Sequence, residues 1–257
     1  MDGITARRVN LGNWNSLAEL DPLWTVLSAP DKKFGKWDPV EFFGTGEKEA
    51  GRVLNMCESN QVPIIFDKML DFGCGVGRMT RGFSKAFRSC TGVDVSQKMV
   101  ALAEKYNADR PNCAFVTNSS PQLPFEDSTF DFVFTTLVLQ HLPTREMILN
   151  FIGEFFRVVK VGGAVVFQLP IAVPFRIRIQ GRRRIWAMLS SIGVPHTWLF
   201  KRAGLAPIQI NGIARDKIEK FIKARGGDLR GVTRFDPAEG DFHSYYYFAL
   251  RSGDKSR

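Results

Sequence analysis

Asp71-Phe72-Gly73-Cys74-Gly75-Val76-Gly77 decides how this chain is read. A carboxylate is followed by glycine at every second position, between an apolar run (Val62 to Leu70) and an amphipathic segment (Arg78 to Phe87). That order predicts strand, tight turn and helix. Glycine lacks a Cβ, so the turn can take positive φ and a ligand can come close to its backbone. The helix then offers unpaired N–H groups and a partial positive charge to an anionic group. Asp71 adds a carboxylate at the mouth of the turn. The stretch suits a zwitterionic, nucleoside-bearing ligand. A dinucleotide loop would need G-x-G-x-x-G. Counted from Gly73 or Gly75, the third position falls on Arg78 or Thr80, and a carboxylate at 71 would repel a pyrophosphate.

Outward from this turn, strands and helices alternate. Pro63 to Leu70 is the first predicted strand and Arg78 to Phe87 a helix. Ser89 to Val95 is the second strand, and Ser96 caps a helix running to about Tyr106. Cys113 to Thr117, Phe130 to Thr135 and a fully apolar Ala164 to Leu169 are strands three to five. Met147 to Lys160 is an amphipathic helix, stopped by Gly162 and Gly163. Asp216 to Arg225 is a closing helix, followed by strands over Leu229 to Phe235 and Ser244 to Arg251. The rhythm predicts right-handed crossovers. The fold class is α/β: a Rossmann-like, doubly wound, mostly parallel seven-stranded sheet with an antiparallel last strand. We read one domain over residues 1–257. It comprises an N-terminal cover of short helices and loops (1–50), with a helix over Gly46 to Cys57, a ligand-binding core (63–169), an insertion or lid after strand five (170–215), and a closing helix and strands (216–251).

The chain has 257 residues, 44% of them hydrophobic, and a formal net charge of +9. No apolar run approaches the roughly 20 residues of a membrane helix, and Met1 to Trp14 lacks the apolar stretch of a secretory signal. Cys57, Cys74, Cys90 and Cys113 are scattered, with no C-x-x-C pair, which suits a reducing, cytoplasmic setting. With only His141, His196 and His243 available, no metal site is expected. The positive charge favours nucleic acid, acidic lipid headgroups or anionic substrates without choosing among them.

Four elements fall at the C-terminal ends of successive strands, where open α/β sheets bind ligands. They are the 71–77 loop, Asp94, the turn Asn118-Ser119-Ser120, and Thr135-Thr136-Leu137. A carboxylate at position 94 can accept both hydrogen bonds of a ribose diol. MLDFGCGVGRMT (69–80), TGVDVSQKMV (91–100), LPFEDSTFDFVFTTLVLQHL (123–142) and RVVKVGGAVVF (157–167) together resemble the core of class I S-adenosylmethionine-dependent methyltransferases, in the branch that acts on small molecules. The resemblance covers about 100 residues, from Asp67 to Leu169. It implies S-adenosylmethionine as cofactor, with Gly73, Gly75 and Gly77 bordering its methionine part, Asp94 on the ribose, and the residues after strand three, Asn118 and Ser119, framing the adenine. Asp71 and Thr135 are the other cofactor-binding candidates. The family often carries an aspartate where Ser119 stands; Asn118 or a backbone carbonyl would substitute.

Methyl transfer needs a lone pair aimed at the sulfonium methyl, and a hydroxyl acceptor gains from a base that takes its proton. His141, after the fourth strand, is the candidate base; capping or packing is its bland alternative. His196 and the basic residues Arg176 and Arg178 of the insertion are candidate acceptor contacts. The basic insertion, interleaved with Ile177, Ile179, Ile185 and Trp186, could rest on an anionic membrane or grip an anionic substrate. The expected function is methylation of a small-molecule acceptor, at oxygen first, for example a sugar or lipid-linked glycan hydroxyl. N-methylation or nucleic-acid modification is the alternative, and a non-catalytic cofactor-binding protein the second. Against nucleic acid, no Asn/Asp-Pro-Pro-aromatic motif follows strand four, where Thr135-Thr136-Leu137-Val138 stands.

Overall fold

A computed structural model describes residues 3–175, 179–235 and 243–253. The strand that carries the glycine turn, β1 (Lys68–Phe72), is buried along nearly its whole length. It lies between two parallel neighbours, β2 (Ser89–Asp94) and β4 (Phe130–Thr135). Parallel sheets are covered on both faces, which accounts for the unbroken burial of β1 from Met69 onward and of all of β4. With β3 (Cys113–Thr117), β5 (Val159–Pro170), β6 (Gly227–Phe235) and β7 (Ser244–Arg251), the sheet has the order β3-β2-β1-β4-β5-β7-β6. Strand β7 runs antiparallel to both β5 and β6, and the other pairings are parallel, as the sequence predicts.

The pleat sends alternate side chains to opposite faces. Leu70, Phe72, Val133, Val165 and Phe167 pack against Ile148, Ile152 and Phe155 of α6 (Arg145–Val158) and Ile218 and Ile222 of α9 (Arg215–Ala224). Met69, Phe132, Phe134 and Val166 face Ala50, Val53 and Cys57 of α3 (Pro39–Ser59) and Phe83 of α4 (Arg78–Phe83). Helices α3 and α4 touch at two glycines: a Cβ on Gly82 would stand 2.5 Å from the Gly46 carbonyl oxygen. Ser96 caps α5 (Gln97–Tyr106), its hydroxyl accepting from the Met99 N–H, as expected.

Several boundaries differ from the sequence reading. The first strand begins at Lys68, not Pro63, because ladder pairing starts only at Lys68 opposite Ser89, and Ile65 and Phe66 are exposed. Helix α6 ends at Val158 without the help of Gly162 and Gly163. Val159 already pairs with Phe130, and the two glycines lie within β5 near a register shift. The N-terminal cover is not made of short pieces alone. It opens with an 18-residue helix, α1 (Gly3–Leu20), followed by α2 (Pro22–Val26) and the 21-residue α3. Asp21 anchors this region: it caps α2 and accepts the N–H groups of Phe34 and Gly35 at 2.6 and 2.9 Å. The insertion holds α7 (Gly181–Ser191) and α8 (His196–Lys201), which join α1 through Leu17, Trp186, Leu199 and Phe200. Among the described residues, no helix is long and apolar enough to cross a membrane.

Candidate active site

The turn after β1 is shaped by positive φ at Gly73 (73°) and Gly75 (53°). Side chains there would collide as well: a Cβ on Gly73 would lie 2.4 Å from Val138, and one on Gly75 2.4 Å from Val26. The N–H groups of Gly73 and Cys74 both donate to the Val93 carbonyl, which lashes the turn to β2. That leaves the Gly75 N–H to donate to Asp94 Oδ2 at 3.0 Å, while the Ser96 N–H donates to Oδ1 at 2.9 Å. Burial pushes the Asp94 carboxyl up, and these N–H groups pull it back. The Val95 N–H also bonds this carboxylate, which with about four lone-pair sites keeps some acceptor capacity.

Asp71 takes a different post. Its Oδ2 accepts the Thr80 hydroxyl at 2.6 Å, and the Thr80 backbone N–H also donates to it. The protein's own carboxylate therefore takes up one of the free N–H groups at the start of α4. Asp71 is 3% exposed, and burial raises its pKa from 3.8 to about 6, against the pull of Thr80 and the Arg78 guanidinium. Arg78 is itself buried; one terminal nitrogen lies 3.4 Å from Thr45 Oγ1, and its Nε has no partner. Gly77 packs α4 down: a Cβ there would meet Asn107 and Phe115.

These groups border a cavity of about 430 Å³, within the range of small-molecule sites. Asp71, Gly73, Gly75, Asp94, Asn118, Ser119 and His141 all line it. Thr135 and Gly77 do not. Thr135 Oγ1 donates to the Phe72 carbonyl at 2.8 Å beneath the floor, and its neighbours Thr136, Leu137 and Val138 face the cavity instead. The Asn118 amide is used within its own turn, donating to the Ser120 and Gln122 carbonyls and accepting from the Ser120 N–H. That leaves the exposed Ser119 side chain beside it on this wall of the cavity. Cys74 also lines the cavity, but burial raises its thiol pKa well above 9.0 and keeps it protonated.

His141 sits at the end of a short 3-10 turn, Leu139–His141. Its Nδ1 lies 2.7 Å from the Gln209 carbonyl oxygen, which accepts only from a protonated Nδ1. Nε2 therefore carries the lone pair, with the Gln140 amide nitrogen 3.2 Å away. Burial lowers the His141 pKa below its usual 6.5, so the ring is neutral at pH 7. Trp14 of α1 stands edge-on to it, ring centroids 5.6 Å apart. Sequence reasoning missed what holds this histidine. Gln168 of β5 accepts the Leu137 N–H at 2.9 Å and donates to Gln140 Oε1 at 3.2 Å and to the Ser244 hydroxyl. A polar residue inside an otherwise apolar strand was the available signal, so β5 is not fully apolar as expected. The Gln209 carbonyl had no signal, because any residue supplies one.

The roof is α1, which brings Asn10, Leu11 and Trp14 to the cavity. Asn15 Oδ1 accepts the Ser96 hydroxyl at 2.6 Å, tying the roof to the loop that holds Asp94. His196 is elsewhere: it stacks on Trp186 at 5.0 Å in a groove on the insertion side of α1. Arg176 and Arg178 lie outside the described residues. Among the described residues, no group of three or more His, Cys, Asp or Glu side chains could hold a metal.

A glycine turn over a parallel sheet with an acid at the end of the second strand defines the nucleotide-binding α/β class. Comparison with known proteins narrows it. Residues 70–167 match the family model described as a methyltransferase domain. A demethylmenaquinone methyltransferase from Staphylococcus aureus (strain MRSA252) is 37% identical over 102 residues, which is 38% of this chain and 41% of that protein's length. Magnesium protoporphyrin IX methyltransferase from Synechocystis PCC 6803, solved with bound SAM, superposes with a TM-score of 0.61 at 17% identity, covering 98% of each chain. An S-adenosylmethionine-dependent methyltransferase from Clostridium acetobutylicum ATCC 824 has a TM-score of 0.57 at 14% identity, over 79% of this chain and 91% of that one. Residues 70–167 are thus similar to methyltransferase domains, and the chain spans about two fifths of the length of the curated relatives it matches.

The residues present fit that cofactor. The cavity is large enough for a nucleoside, and the Asp94 carboxylate at its border keeps acceptor capacity for a diol.

Proposed function

We propose that this protein binds S-adenosylmethionine between the glycine turn and α1 and methylates a small hydroxyl-bearing acceptor. One observation carries the reading: the Asp94 carboxylate and the neutral His141 ring border a single cavity, beside a turn that cannot accommodate side chains. When bound, the cofactor supplies an electrophilic methyl on a sulfonium. Asp94 accepts the two ribose hydroxyls. Asp71, ionised above about pH 6, supplies negative charge for the ammonium of the methionine part. Nε2 of His141, whose lone pair the Gln140 amide holds in this structure, takes the proton that the acceptor hydroxyl loses once that hydroxyl displaces the amide, while the Gln209 carbonyl steadies the imidazolium through Nδ1. Trp14 and Leu11 exclude water from above.

The acceptor side is mainly apolar, with Leu11, Trp14, Val138 and Leu142 around His141. This favours an apolar body bearing one hydroxyl over the sugar hydroxyl expected from sequence. The relatives named for demethylmenaquinone and magnesium protoporphyrin IX support a small-molecule acceptor. Acceptor choice would rest on the cover (1–50) and the insertion (170–215).

Calorimetry with S-adenosylmethionine and its demethylated product tests binding, and a labelled-methyl assay over phenols, hydroquinols and amines tests transfer. No affinity for either nucleoside would defeat the reading. Transfer to amines alone would replace its oxygen chemistry.

A further inference from the structure

Helix α7 carries two apolar faces, and among the described residues only one has a partner. Trp186 is buried, and it packs with Leu189 against Leu17, Leu199 and Phe200. Ile185, Met188 and Ile192 recur at spacings of three and four, so they share the opposite side of the helix. Met188 is 59% and Ile192 71% exposed. The same insertion exposes three more large apolar side chains outside the helix, Phe175 (74% exposed), Ile179 and Trp198. A soluble surface scatters such residues singly; a contiguous group of them marks an interface.

The charges around the stripe identify its partner. On a helical wheel Arg182 and Arg184 flank it on either side, and the exposed Lys201 and Arg202 follow Trp198. From residue 155 to 215 the sequence contains no Asp or Glu. A second copy of this chain would bring cations against cations. A bilayer with anionic headgroups instead takes the apolar stripe into its interface, pairs with the flanking cations, and seats tryptophan at headgroup depth.

We propose that α7 and the start of α8 form a docking surface for an anionic lipid bilayer. The helix lies in the plane of the interface with Ile185, Met188 and Ile192 turned towards the acyl chains. Its inner face stays on α1, the roof of the cavity, so the docked protein holds that roof next to the lipid.

Sedimentation with vesicles of phosphatidylcholine, with and without phosphatidylglycerol, tests this. Binding to the anionic vesicles should exceed binding to the neutral ones and weaken with salt. Arg184→Gln/Lys201→Gln/Arg202→Gln should lower partitioning by at least about thirtyfold. Ile185→Gln/Met188→Gln/Ile192→Gln should abolish the part that survives high salt. All six side chains are exposed, and unchanged calorimetric affinity for S-adenosylmethionine would certify an intact core. Equal partitioning of wild type and both variants, or no binding to anionic vesicles, overturns the proposal. So does a wild-type dimer that the apolar triple variant dissociates while vesicle binding is absent.

Discussion

Replacing Asp71 by asparagine removes a charge from the buried floor of the cavity yet leaves an oxygen for the Thr80 hydroxyl. The folded pKa of Asp71 is raised, from 3.8 to about 6, chiefly by burial. A raised carboxyl pKa means the fold prefers the protonated form. The associated stability is fully present below pH 3.8 and is lost as pH rises through about 6. At about 1.36 kcal/mol per pKa unit, the ionised carboxylate costs roughly 3 kcal/mol by pH 8. Asp71→Asn carries no such cost. Its stability relative to wild type should therefore rise by about 2–3 kcal/mol between pH 4 and pH 8, mostly between pH 4 and 6. Urea unfolding of both proteins across that range, without cofactor, measures the difference, and other titrating groups largely cancel. A difference that is flat with pH, or that falls as pH rises, would refute the account of Asp71 as a desolvated carboxylate. With saturating S-adenosylmethionine the advantage of the variant should shrink, because the ligand's ammonium compensates the charge.

His141→Ala should lower kcat by about 100-fold or more while leaving cofactor affinity within about twofold; wild-type kcat/KM should fall on an acidic limb below pH 6.5, since only the neutral ring is a base. Asp94→Asn should weaken S-adenosylmethionine binding by at least about tenfold in calorimetry, because one of two charge-assisted acceptors becomes a donor. Gln168→Leu leaves the Leu137 N–H and Gln140 Oε1 unpaired; denaturant unfolding should show a loss of about 2–4 kcal/mol, and kcat should fall with it. Gly82→Ala forces α3 off α4 and should cost about 1–3 kcal/mol in the same assay.

The sheet was legible because each strand from β1 to β5 holds a largely apolar stretch closed by turn chemistry. The order of the runs then dictates parallel crossovers. Asp94 and the glycine turn were legible for the same reason: they sit at strand ends, where position along the chain is position in the cleft. The roof was not. Helix α1 has few apolar residues in a regular stripe, and its place is set by contacts distant in sequence, such as Asn15 with Ser96 and Leu17 with Phe200. Spacing shows where a helix begins but not what a single asparagine will meet 81 residues later. The tautomer of His141 was hidden likewise, since it is fixed by a main-chain carbonyl at Gln209.

The position of β7 constrains how the molecule is made. Strand β6 precedes it in the chain but pairs with nothing else, and β7 wedges between β6 and β5. During synthesis on the ribosome, the five strands up to β5 can assemble as they emerge, whereas Gly227–Phe235 must wait without a ladder partner until Ser244–Arg251 arrives. For that interval the β5 edge, with Val165 and Phe167, is open to wrong pairings. Nascent chains arrested before residue 244 should therefore be the species that chaperones or aggregation capture.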